Sequence, residues 1–98
     1  MPQVMTTPGI DRYVKRYEAL ANKHRIVIVK FVRMKSKASW TEIEHALEQQ
    51  FKGRINPNSL SFHLNKLIES GFLEHTDSCY VLAEEGLRRR KEIDNLSF

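Results

Sequence analysis

Asn58, Ser59, Phe62 and Asn65 are spaced to share one side of a helix, and their side chains hold the chemistry of base reading. An amide can bond adenine bidentately, a hydroxyl donates or accepts, and an aromatic can meet a thymine methyl. The segment that carries them has both ends written into it: Asn56 suits an N-cap, Pro57 the first helical position, and Gly71 the left-handed C′ position. Between these signals Leu60, Leu64, Leu67 and Ile68 form one apolar stripe, which leaves Asn58, Ser59, Phe62, Asn65, Lys66 and Glu69 facing away from it. A merely solvated helix would carry more Glu and Lys on that face. Lys52, Arg54 and Lys66 surround the segment and suit phosphate contacts, as does Ser61 at the edge of the stripe. Such contacts position a protein on a duplex without specifying sequence. His63, at the opposite edge, reads as a semi-buried imidazole that fixes the packing of this helix against the one before it.

Other chemistries find no foothold. There is no Gly-rich phosphate loop, no nucleophile elbow, and no Cys/His or Ser/His/Asp arrangement, so no enzymatic activity is expected. His24, His45, His63 and His75 are too scattered for metal-ligand spacing, and neither a metal nor another cofactor is expected. The single cysteine, Cys79, excludes an intrachain disulfide and a multi-cysteine zinc site, and reads as an isolated thiol in a turn. Tyr13 and Tyr17 sit at helical spacing, which favours a core or dimer interface over a ligand pocket.

At 98 residues, with 41% hydrophobic and 29% charged side chains, the chain has the composition of one soluble globular domain. Its net charge of +4 permits nucleic-acid binding without establishing it. Residues 1–40 hold nine basic side chains against two acidic ones, a net +7, whereas the remainder is net −3 with seven against ten. A polyanion is therefore expected to meet the N-terminal half first, with Lys52, Arg54, Lys66 and the run Arg88 to Lys91 as local supplements. No apolar run reaches membrane-spanning length and the opening residues lack a signal-peptide pattern, so a cytoplasmic location without membrane association is expected.

The elements that must position these groups follow from periodicity. Residues 1–10 read as a flexible tail and 11–98 as one domain. Asp11 is a candidate N-cap for a helix with Tyr13, Val14, Tyr17, Leu20 and Ala21 on one face. In residues 24–34 four consecutive β-branched residues favour a strand and the length favours a helix. We read a helix, because Ile28, Phe31, Val32 and Met34 continue the apolar surface and no turn signal separates it from the preceding segment. Ser36 to Ala38 reads as a loop. Thr41 with Glu44 forms a capping box, and Ser39 with Glu42 offers a second frame, for a helix carrying Ile43, Ala46, Leu47 and Phe51 inward. Residues 72–75 and 80–82 read as a hairpin around Thr76 to Cys79. Residues 83–95 read as a last helix whose Leu87 and Ile93, with Leu96 beyond, do not share one stripe. Surplus apolar surface at Tyr13, Val14, Tyr17 and Leu20, together with Ile93 and Leu96, predicts a homodimer formed by the first and last helices.

The whole is mainly α with a small β-hairpin wing, in the order of a winged helix-turn-helix. Ser61-x-His63-Leu64-x-x-Leu67-x-x-x-Gly71-Phe72-Leu73 resembles the Ser-x-His-Leu-x-x-Leu-x-x-x-Gly-Leu-Val core of ArsR-type and related archaeal winged-helix regulators. Residues 19–28 are similar to that family's Leu-Ala-(Asp/Asn)-x-x-Arg-x-x-Ile opening, and Tyr80 to Gly86 to its Tyr-x-Leu-Thr-Glu-x-Gly exit from the wing. The likeness spans residues 13–92. Ala83 stands in place of the usual Thr, and Phe62 where many relatives carry a basic or tyrosine side chain. The resemblance implies a homodimeric transcriptional regulator of double-stranded DNA. Helix 57–70 would enter the major groove and the wing, about 72–82, would lie on the backbone through His75, Thr76 and Ser78. Asp77 weighs against a strongly positive wing tip. The helix 41–51 lacks the cysteine pair of thiolate-sensing members, so no metal effector is expected and a small-molecule effector is left unnamed. The competing reading is a winged-helix module that docks a protein through Phe62 and binds no DNA.

Overall fold

Two helices open the chain, and a side-chain cap separates them. In a computed structural model, which describes residues 8–96, α1 spans Pro8–Leu20 and α2 spans Lys23–Lys35. α1 begins three residues ahead of Asp11, which lies in its first turn rather than at the cap. There its carboxylate complements the helix dipole. Of the expected tail, residues 8–10 are helical and 1–7 lie outside the described residues. The Asn22 side-chain oxygen accepts from His24 N at 2.9 Å and Arg25 N at 3.2 Å, which starts α2 afresh. This cap is the turn signal between the two helical segments that the sequence reading lacks. α2 takes its β-branched run into a helix because Val27, Ile28, Val29 and Val32 are buried in the core. Burial of such side chains is worth about 1.5–3 kcal/mol each, against tenths for helix propensity.

The strand β1 (Lys37–Ser39) occupies most of the expected loop. It forms because Ala38 is fully buried and pairs with Tyr80. α3 (Trp40–Phe51) uses the second capping frame: Ser39 Oγ accepts from Glu42 N at 3.2 Å, and Glu42 Oε1 accepts from Ser39 N at 2.9 Å. α4 (Pro57–Glu69) follows after a turn in which Lys52 takes a left-handed conformation. β2 (Leu73–Thr76) and β3 (Cys79–Leu82) form the expected hairpin. Asp77 and Ser78, both at positive φ, close it with the two-residue turn that matches strand twist. The antiparallel sheet runs β1-β3-β2.

The C-terminal segment departs from expectation. Two five-residue helices, α5 (Glu84–Arg88) and α6 (Arg90–Asp94), meet at Arg89, whose φ of −105° and ψ of 20° break the run. That break turns Ile93 inward to 2% exposure, so it is a core residue of its own chain and not a dimer contact. Lys30 then caps α6 from α2, its Nζ donating to the carbonyls of Ile93, Asp94 and Leu96 at 3.2, 2.9 and 2.7 Å. Arg33 adds a two-pronged pair to Asp94 at 2.9 and 3.0 Å. At Gly86 a Cβ would stand 2.6 Å from the Phe72 carbonyl oxygen, so this close approach requires glycine.

Candidate nucleic-acid interface

α4 is held from both ends and beneath. The Asn56 side chain accepts from Asn58 N at 2.7 Å, Pro57 opens the helix, and Gly71 at φ 83° closes it. Leu60, Leu64 and Leu67 are buried, and Ile68 packs half-buried against the same core. Asn58, Ser59, Phe62, Asn65, Lys66 and Glu69 consequently all lie exposed on the outer side. Phe62 is 56% exposed, a large apolar surface for a helix that has already filled its own core contact. Lys66 Nζ lies 5.4 Å from the Phe62 ring centroid, which fixes a cation beside the aromatic.

Lys52 and Arg54 are exposed in the α3–α4 connection, and Ser61 is half-buried at the edge of α4. β2 packs against α4, which sets the hairpin beside the helix. On the hairpin His75, Thr76, Asp77 and Ser78 are exposed, with the His75 ring stacked on Tyr80 at 4.4 Å.

Five of the nine cations of residues 1–40 are engaged within the chain, whereas Arg12, Lys15, Lys23 and Lys37 stand exposed. Arg16 lies 3.5 Å from the buried Glu85 carboxylate, though outside hydrogen-bond geometry. Arg25 is buried, Lys30 and Arg33 hold α6, and Lys35 pairs with Glu42 at 3.3 Å. The later run is similarly occupied, Arg88 by Glu84 at 3.0 Å and Arg89 by Glu85 at 2.6 Å. Part of the net +7 of residues 1–40 is thus an internal framework.

Arg25 is the residue whose role the spacing of apolar and polar groups did not reveal, although it stands in the opening motif. Its Nε donates to the Ala19 carbonyl at 2.8 Å and its Nη2 to the Glu18 carbonyl at 3.1 Å, capping the last turn of α1. Its Nη1 lies 3.0 Å from His63 Nδ1. A guanidinium only donates, so Nδ1 accepts and the imidazole hydrogen sits on Nε2. His63 stacks on His24 at 5.4 Å with the rings 6° from parallel, and His24 packs on Phe51 at 4.4 Å. The partners of His63 are therefore on α2, which corrects its expected role between α3 and α4. Burial, then Arg25 and His24, holds its pKa below the usual imidazole value. Burial, then Lys23, lowers that of His24.

α1 exposes Ile10, Tyr13, Val14 and Tyr17, the two tyrosine rings 6.0 Å apart. Leu20 and Leu96 are half-buried, so of the residues expected at a dimer interface Ile93 is the one taken fully into the core. Among the described residues no three His, Cys, Asp or Glu side chains converge as a metal-binding group, and no helix is long and apolar enough to cross a membrane. No protein-family model matches the chain, and no curated protein gives a significant match.

Proposed function

We propose that the chain is a sequence-specific regulator that binds double-stranded DNA as a winged helix-turn-helix homodimer of ArsR type. α4 enters the major groove and the β2–β3 hairpin serves as the wing. One observation carries this reading: Asn58, Ser59, Phe62 and Asn65 are all exposed on a helix whose opposite side is locked by buried leucines. That arrangement presents base-reading groups on a rigid support, with Lys52, Arg54 and Lys66 exposed around them for phosphates. The apolar stripe Tyr13, Val14 and Tyr17 supports two-fold pairing through α1.

Selection of bound fragments from a random duplex pool tests the reading. An enriched inverted repeat with half-site centres about 10 base pairs apart, or a multiple of that, is expected. Light scattering should give twice the 11.5 kDa chain mass. The exposure of Phe62 also favours a second reading, a module that docks a protein partner on α4. Absence of any duplex retention at low salt would select it.

A further inference from the structure

A depression where α2, the α3–α4 turn and α4 meet is lined by His24, Phe51, Arg54, Asn56, Ser59 and His63, and holds about 300 Å³. No carboxylate lines it among the described residues. Its polar groups are donors: the Arg54 guanidinium, the Ser59 hydroxyl, the Asn56 amide nitrogen left over from capping, and His63 through Nε2. His24 differs from His63 in one respect. His63 cannot accept a proton on Nδ1 without losing Arg25, whereas neither ring nitrogen of His24 bonds a protein group among the described residues. The groups around His24 are Lys23 and Arg25 on α2, His63 on α4 and Arg54 in the turn. α3 adds only Leu47 and Phe51, and Glu18 of α1 acts through Arg25. The site is a pocket of cations and donors with no anion of its own.

We propose that this depression seats one backbone phosphodiester of bound duplex, and that His24 takes a proton from solvent as the phosphate enters. The inference rests on the DNA-binding reading of α4. In the free chain burial and Lys23 disfavour the protonated form of His24. A phosphodiester supplies the missing negative charge and reverses that balance, so affinity rises as pH falls from neutral.

The test has two measurements on the full chain. Fluorescence anisotropy at constant ionic strength follows a random-sequence duplex at about pH 7.5 and about pH 6, where one linked proton can give at most about tenfold per pH unit. Wild type and His45→Gln, altered at an exposed histidine on α3, should bind roughly threefold or more tightly at the lower pH. Tested in a His75→Gln background, which takes the wing histidine out of the comparison, His24→Gln should bind alike at both pH values. In parallel, the NMR titration midpoint of the wild-type His24 ring should rise on adding dimethyl phosphate, which carries one charge throughout this range. Duplex binding that is equal at both pH values in wild type, or pH dependence that survives His24→Gln in that background, overturns the proton-linked seat and leaves DNA binding standing. A midpoint raised by dimethyl phosphate with no duplex bound at either pH removes DNA as the occupant, and an unmoved midpoint removes the anion site itself.

Discussion

Two sets of cations differ in what surrounds them. On α1 and α2, Arg16, Arg25, Lys30, Arg33 and Lys35 each face a carboxylate or a helix-end carbonyl of their own chain. Around α4, Lys52, Arg54 and Lys66 stand exposed on the side that carries Asn58, Phe62 and Asn65. The first set is the larger and dominates any count of charge along the chain. Charge in the sequence is therefore divided here between cations that hold the fold and exposed ones, and Lys52, Arg54 and Lys66 are the exposed ones grouped with the polar face of α4.

The sharpest way to break that contrast is Arg25→Ala. It leaves two carbonyl acceptors at the end of α1 and His63 Nδ1 without their donor, in buried or part-buried settings where each unsatisfied group costs about 1–3 kcal/mol. A loss of roughly 3 kcal/mol in urea unfolding is expected, a large part of the stability of a domain this size. A change under about 0.5 kcal/mol would show that the guanidinium is dispensable to the fold, as surface groups usually are.

Asn58→Ala acts on the other set and should leave stability nearly alone. Against a selected operator it should cost roughly 1–3 kcal/mol of affinity, with non-specific binding barely moved. Equal losses on selected and scrambled duplexes would show that α4 grips the backbone without reading bases.

These two residues also show what a sequence makes legible. The ends of α4 were readable because caps act over two or three residues: Asn56 bonds Asn58, and Gly71 sits beside the last turn. The buried leucines followed from period alone. Arg25 meets His63 across 38 positions and Lys30 meets Leu96 across 66, and no local pattern encodes a partner that distant. Ile93 was misplaced for a related reason. Its direction depends on the break at Arg89, where the chain leaves the helical period that would have set it. The exposed face of α4 is legible from residue types, while the internal engagement of Arg16, Arg25, Lys30, Arg33 and Lys35 is visible only in the fold.

A third expectation concerns pH. His63 and His24 have folded pKa values below the 6.5 of the free side chain, so below that pH the unfolded chain binds more protons than the folded one. Their contribution to stability is complete above pH 6.5 and is lost as pH falls through the folded values. Asp94 and Glu42, lowered by Arg33 and by the Ser39 backbone respectively, act only in a more acidic window. Urea midpoints should therefore decline between pH 7 and 5, by less than the Arg25 loss, and His63→Gln should flatten the decline. A midpoint constant over that range would mean the stacked pair is not held neutral by the fold.

The smallest effect is the one that separates the two cation sets most cleanly. Arg54 is exposed in the α3–α4 turn, so Arg54→Ala should shift stability by no more than about 0.5 kcal/mol. If it neutralises one phosphate, the slope of log affinity against log salt should become shallower by about 0.9, equally for selected and scrambled duplexes. Lys30→Met should do the reverse, lowering stability through the three carbonyls it caps and leaving the slope unchanged. A salt slope that responds to Lys30 and not to Arg54 would place the polyanion against α2, and the division between framework and contact cations would have to be redrawn.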